Sequence, residues 1–117
     1  MKKKILIVDD DADILHALKI MLERKGYAVE LSSEADKIFL PGFDMPDLLI
    51  LDIWMGNFDG REICHQLKSD PVTNSLPVIL FSAGRDIEKS AKDAGADDFL
   101  AKPFEQKLLF EKIERFI

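Results

Sequence analysis

Three four-residue apolar runs, Ile5-Leu6-Ile7-Val8, Leu48-Leu49-Ile50-Leu51 and Val78-Ile79-Leu80-Phe81, each lead directly into a polar side chain: Asp9, Asp52 and Ser82. A run without polar alternation reads as a strand buried on both faces, and such strands belong to parallel sheets covered by helices. The intervening stretches have helical spacing. Between residues 12 and 25, Ile14, Ala17, Leu18, Met21 and Leu22 fall on one helical face, and Gly26 is the stop. Residues 27–31 predict a shorter second strand, and Ser33 the cap of a weak second helix through residue 40, ended by Pro41-Gly42. The third strand, closed by Asp52, leads into a loop turning at Asn57 to Gly60. Asp59, with Glu62 three residues on, then has a capping-box layout for a helix carrying Ile63, Cys64 and Leu67. A small-residue helix comes after the fourth strand, with Ile87, Ala91 and Ala94 on its face and Gly95 as stop. Residues 98–101 predict a fifth strand, and a last helix from about Glu105 presents Leu109, Ile113 and Phe116. Five strands alternating with five helices predict an α/β, (βα)5 fold. Its sheet is parallel and doubly wound, with right-handed crossovers and helices on both faces.

At 117 residues the sequence reads as one domain. A net charge of −6 argues against direct nucleic-acid or anionic-membrane binding, which needs clustered Lys and Arg. The run Lys2-Lys3-Lys4 reads as a solvated end. Cys64 is the one cysteine, so no internal disulfide forms, and its helical setting reads as a small buried hydrophobe. No stretch approaches the length of a membrane span, and the apolar run at residues 5–8 is too short for a signal-peptide core. A reducing cytoplasm is the expected location.

Parallel α/β sheets bind ligands at the carboxyl ends of their strands. There the first strand delivers Asp9 and Asp10, the third Asp52, the fourth Ser82 and the fifth Lys102. Three converging carboxylates repel one another and stay ionised together only with a cation among them. Hard oxygen ligands suit Mg²⁺, with Mn²⁺ as a substitute. A divalent ion, an ammonium and a hydroxyl around a carboxylate suit phosphoryl transfer, in which the carboxylate can be the nucleophile. No Gly-rich phosphate loop or Walker-type lysine motif is present, so a nucleotide is not the expected donor.

The set Asp9-Asp10, Asp52, Ser82 and Lys102-Pro103, in this order on these strands, resembles the receiver domain of two-component response regulators, of the chemotaxis-Y type. The resemblance runs from about Lys3 to the last residue and implies a flavodoxin-like sheet of strand order 2-1-3-4-5. It implies that Asp52 accepts a phosphoryl group from a phosphohistidine on a sensor histidine kinase or a phosphotransfer protein. Asp9, Asp10, Asp52 and the backbone carbonyl of Trp54 would hold Mg²⁺. Ser82 and Lys102 would bind phosphoryl oxygens, and Pro103 would come after a cis bond. Phe99 stands at the aromatic switch position and is expected to move inward as Ser82 is drawn toward the phosphate. The expected output surface is the fourth helix, fifth strand and fifth helix, read by a downstream protein or by a second copy in a phosphorylation-dependent homodimer. Residues 1–117 would be a single receiver domain without an output domain. Such a protein catalyses its own phosphorylation and autodephosphorylation without being a conventional enzyme.

The chain departs from the family pattern at four places. Gly56 replaces the usual proline, Phe99 the commoner tyrosine, and Trp54 is bulky for the mouth of the site. We expect the Trp54 ring to shield the acyl phosphate from water; Gly84, with no side chain to align a water, points the same way. Other polar residues have simpler readings. Asp11 and Asp13 suit a helix start, Asp59 a cap, His16 and His65 a helix surface, and Asp97 and Asp98 a loop and strand start. The competing class is a Mg²⁺-dependent phosphatase of the haloacid-dehalogenase type, which would carry its covalent phosphate on Asp9 and leave Asp52 surplus.

Overall fold

The three apolar runs become the centre of the sheet because neither of their faces tolerates water. The fold is taken from a computed structural model describing residues 2–34, 36–55, 58–83 and 86–117, with the side chain of Asp36 set aside. Its strands and helices, in chain order, are β1 (Lys4–Val8), α1 (Ala12–Arg24), β2 (Ala28–Ser32), β3 (Leu48–Asp52), β4 (Trp54–Met55), β5 (Phe58–Asp59), α2 (Gly60–Ser69), β6 (Val78–Ser82), α3 (Ile87–Ala94), β7 (Asp98–Ala101) and α4 (Gln106–Glu114). The expectations resting on Gly56, Asn57 and Gly84 lie outside the described residues.

The sheet is parallel with order β2-β1-β3-β6-β7, the expected 2-1-3-4-5 once the short β4–β5 hairpin is set aside. Alternate residues of the central strands feed two cores. Leu6, Val8, Leu49, Leu51, Val78 and Leu80 meet Ile63, Leu67, Ile87 and Ala91 of α2 and α3. Ile5, Ile7, Leu48, Ile50, Ile79 and Phe81 meet Leu15, Leu18 and Leu22 of α1 and Leu109 and Ile113 of α4.

The structure corrects three details. In place of the second of five α-helices stands a short 3-10 segment, Asp36–Phe39, so the described residues form four α-helices. Of this stretch Ile38 enters the core while Phe39 and Leu40 stay exposed, and Pro41-Gly42 comes at once after them. One apolar anchor offers no face on which a longer helix could pack. The turn before it is closed by Ser32 rather than Ser33: the Ser32 hydroxyl accepts from the Glu34 N–H at 3.1 Å. On α1 the buried residues are Leu15, Leu18 and Leu22, whereas Ala17 is exposed, so the buried stripe is rotated from the expected one. The antiparallel β4–β5 hairpin was not expected, because two residues per strand carry no measurable period.

Gly60 sets how closely α2 can approach the sheet. It is the first residue of α2, and a Cβ there would overlap the backbone carbonyl of Asp52. Its N–H donates to the Ile53 carbonyl at 2.7 Å. Only a residue without a side chain lets α2 begin this close to the end of β3.

Candidate functional site

Parallel strands in register bring their carboxyl ends to one edge. Asp52 closes β3 and Ser82 closes β6, with Asp52 opposite Phe81 and Ser82 opposite Ala101. Asp9 comes directly after β1, its N–H donating to the Ser32 carbonyl at 3.1 Å. Lys102 comes directly after β7, its N–H donating to the Ser82 carbonyl at 2.9 Å, and the Lys102–Pro103 bond is cis. The ladder thus carries Asp9 and Lys102 one residue past their strands and aims them, with Asp52, into one crevice.

Within it, single carboxylate oxygens of Asp9, Asp10 and Asp52 lie within 4.8 Å of one another. Asp9 and Asp52 are buried, at 1 % and 5 % exposure, whereas Asp10 is exposed. Asp9 Oδ1 accepts from the Asp11 N–H at 3.0 Å, and its Oδ2 meets Lys102 Nζ at 3.0 Å. The same ammonium is 3.7 Å from Asp52 Oδ1 and 4.4 Å from the centroid of the Phe81 ring, against which Phe104 packs edge-on. Lys102 is therefore held by one acid, approached by a second and floored by an aromatic face.

Burial pushes the Asp52 carboxyl up to about 6 and the charge of Asp9 adds to it, while Lys102 and the Trp54 backbone N–H pull the other way. Among the described residues one ammonium stands beside three acids, which leaves negative charge in excess there. Hard oxygen donors at this spacing, two of them buried, fit a divalent cation of the Mg²⁺ kind.

Beside the crevice, on the Ser82 side, lies a cleft whose lining includes residues that the sequence did not single out. This cleft of about 230 Å³ is lined by Ile53, Trp54, Arg61, Ser82, Asp86, Ile87 and Ser90. Trp54 is 59 % exposed, and the Arg61 guanidinium lies 4.6 Å from its ring centroid. Asp59 caps α2 by accepting from the Arg61 N–H at 2.9 Å and also binds the Arg61 side chain. A cap was expected at Asp59; the grip on Arg61 was not, since residues two apart on a helix do not ordinarily face each other.

Other candidates lie elsewhere. His16 and His65 are exposed on α1 and α2. Asp11 accepts from the Asp13 and Ile14 N–H groups at the start of α1. Phe99 lies partly buried on β7, with Lys112 Nζ 4.8 Å from its ring centroid. Asp98 holds Lys112 at 2.8 Å and Arg115 at 3.3 Å.

Comparison with known proteins decides the family. The family model described as "Response regulator receiver domain" matches residues 5–114. The chain belongs to that family. As a receiver domain it is 35 % identical to the response regulator MprA of Mycobacterium bovis, over 100 % of this chain and 51 % of that protein. It spans about half the length of the curated relatives it matches. Among solved structures it resembles a putative response regulator from Chloroflexus aurantiacus (31 % identity, TM-score 0.90), covering 99 % of this chain and 98 % of that one. It also resembles the response regulator TrrA of Thermotoga maritima, solved in complex with Mg²⁺ and BeF (27 % identity, TM-score 0.87, 98 % and 99 % covered). The receiver domain of a two-component response regulator is a signal-transduction module. The family match and these relatives give no support to the haloacid-dehalogenase-type alternative. No helix among the described residues is long and apolar enough to cross a membrane.

Proposed function

We propose that this receiver domain accepts a phosphoryl group on Asp52 from a phosphohistidine of a sensor histidine kinase or phosphotransfer protein. The P–N bond breaks as a P–O bond to a carboxylate oxygen of Asp52 forms. The imidazole leaves with the P–N electron pair, as a neutral ring when its second nitrogen already carries a proton. Loss of the group is hydrolysis of the acyl phosphate, which returns the carboxylate and releases inorganic phosphate.

The observation that carries this reading is the crowding of Asp9, Asp10 and Asp52, with the Lys102 ammonium bound to Asp9 and close to Asp52. Such a cluster is costly to keep and has a use where further positive charge and phosphoryl oxygens meet. Asp9, Asp10, Asp52 and the Trp54 carbonyl would hold Mg²⁺ or Mn²⁺, which when bound neutralises charge on the phosphoryl oxygens. Lys102 is within reach of Asp52 and supplies a fixed positive charge for one of those oxygens. Ser82, on the neighbouring strand end, supplies a hydroxyl donor to another. Trp54, exposed beside the cleft, would limit water access and so slow hydrolysis.

Readout would come from the movement of Ser82 toward the phosphoryl group, with Phe99 turning inward. The surface of α3, β7 and α4 would then favour a downstream protein or a second phosphorylated copy, by shifting an existing equilibrium. These steps suit a cytoplasmic setting. The chemistry is tested by incubating the protein with a small acyl phosphate and Mg²⁺ and weighing it intact. Wild type should gain one phosphoryl group and Asp52→Asn none; an adduct retained by Asp52→Asn would remove Asp52 from its role.

A further inference from the structure

Two residues that line the cleft beside Ser82, Trp54 and Arg61, are in contact with each other, and Asp59 behind them holds Arg61. Trp54 and Asp59 are cross-strand partners in the β4–β5 hairpin. Asp59 binds Arg61 with both oxygens: Nε lies 3.0 and 3.2 Å away and Nη2 2.7 Å. The guanidinium so fixed lies 4.6 Å from the Trp54 ring centroid. A bidentate carboxylate holds the plane of the fork, and a guanidinium favours an aromatic face. Trp54 is an indole, 59 % exposed, on a two-residue strand.

We propose that Arg61, anchored by Asp59, is a positioning residue that holds the Trp54 ring over the cleft and thereby sets the lifetime of the acyl phosphate. This rests on Asp52 being the phosphoacceptor. Trp54 exchanges between a seated position, which narrows the path to Ser82 and Asp52, and an open one that admits water. Hydrolysis passes through the open fraction, so its rate is inversely proportional to the seating constant while the seated form dominates. Removing a cation–π contact at an exposed site lowers that constant about twofold to fivefold. The ion pair of Arg61 is with Asp59 and not with the clustered acids, so its removal changes access to the site and leaves the charge around Asp52 as it was.

Trp54 is the only tryptophan, so its emission reports the seating alone. Wild type, Arg61→Ala, Asp59→Asn and Trp54→Ala would be phosphorylated with a small acyl phosphate and Mg²⁺. Decay would be tracked by intact mass, and acrylamide quenching of emission measured in the three proteins that keep Trp54. Asn still caps a helix, so Asp59→Asn removes the ion pair and leaves the start of α2 in place. We expect Arg61→Ala to shorten the lifetime by about twofold to fivefold, and Trp54→Ala, which removes the ring itself, by at least as much. Combining Arg61→Ala with Trp54→Ala in one protein should add nothing beyond the larger single effect. Quenching should rise in Arg61→Ala and, to a smaller extent, in Asp59→Asn. Faster quenching with an unchanged lifetime in Arg61→Ala would overturn the proposal, as would a lifetime shortened in Trp54→Ala alone. A wild-type protein that never gains the phosphoryl mass would instead overturn the phosphoacceptor reading on which this one rests.

Discussion

The two ends of the parallel sheet carry the same residue types and use them in opposite ways. At the amino end the acids are matched by donors. Asp47 accepts from the Lys4 backbone N–H at 2.8 Å, and Lys4 Nζ meets Glu30 at 3.2 Å and Asp44 at 3.3 Å. Asp97 takes the Val78 N–H at 2.8 Å and Lys68 Nζ at 2.6 Å. At the carboxyl end Asp9, Asp10 and Asp52 crowd together, and among the described residues the ammonium beside them is Lys102, which Asp9 binds and Asp52 approaches. The electrostatics reflect this arrangement. Burial raises the Glu30 carboxyl, but the hydrogen bonds from Lys4 and Lys37 outweigh it and leave the group below its ordinary value, whereas Asp52 is pushed up to about 6. An acid at a strand end is therefore a matched group or a crowded one according to how many partners it has, not according to its identity.

The sharpest way to break this comparison is to delete an acid at each end. Asp97→Ala removes the acceptor for a strand N–H and the partner of Lys68, a side chain 16 % exposed. We expect a loss of about 2–3 kcal/mol, read from the denaturant midpoint. Asp52→Asn, measured with divalent cations chelated, should move the midpoint the other way. It removes one of three crowded negative charges while keeping the shape, and should gain about 1–2 kcal/mol. If both substitutions destabilise alike, the contrast between matched and crowded acids is lost.

Restoring positive charge should cancel the difference. At ten times its dissociation constant, Mg²⁺ should stabilise wild type and Asp97→Ala by about 1.4 kcal/mol each and Asp52→Asn by much less. Equal gains in all three would place the cation elsewhere on the molecule.

How far these ends were legible in the sequence depends on the distance over which each signal acts. A polar residue directly after an unbroken apolar run is a local mark, so Asp9, Asp52 and Ser82 could be placed at one edge once the sheet was recognised as parallel. The sheet itself was legible because β1, β3 and β6 are buried on both faces and so lack polar alternation. The role of Asp97 was hidden, because its partner Val78 lies 19 residues away and register alone joins them. The grip of Asp59 on Arg61 was hidden for the opposite reason, being a contact too short in sequence to obey any helical period. The stretch around Ile38 misled because helical spacing over eight residues does not show that a core exists to receive the face.

The smallest expected effect tests the matched end through pH. The carboxyl of Glu30 is held below its ordinary value in the folded chain, so it contributes stability above its unfolded value, near pH 4.3, and loses it as pH falls through the folded one. Its side chain is 36 % exposed, so water screens the pairs with Lys4 and Lys37 and the contribution stays below about 1 kcal/mol. Wild type should be more stable than Glu30→Gln at pH 7 by that small margin, and the margin should close as pH falls through the lowered folded value. Gln keeps the length and one acceptor oxygen, so what vanishes is the charge. A margin that does not shrink with falling pH would assign Glu30 to packing along β2 rather than to the paired acids of the amino end. That would leave Asp97 and Asp47, which accept backbone N–H groups, as the residues that distinguish one end of the sheet from the other.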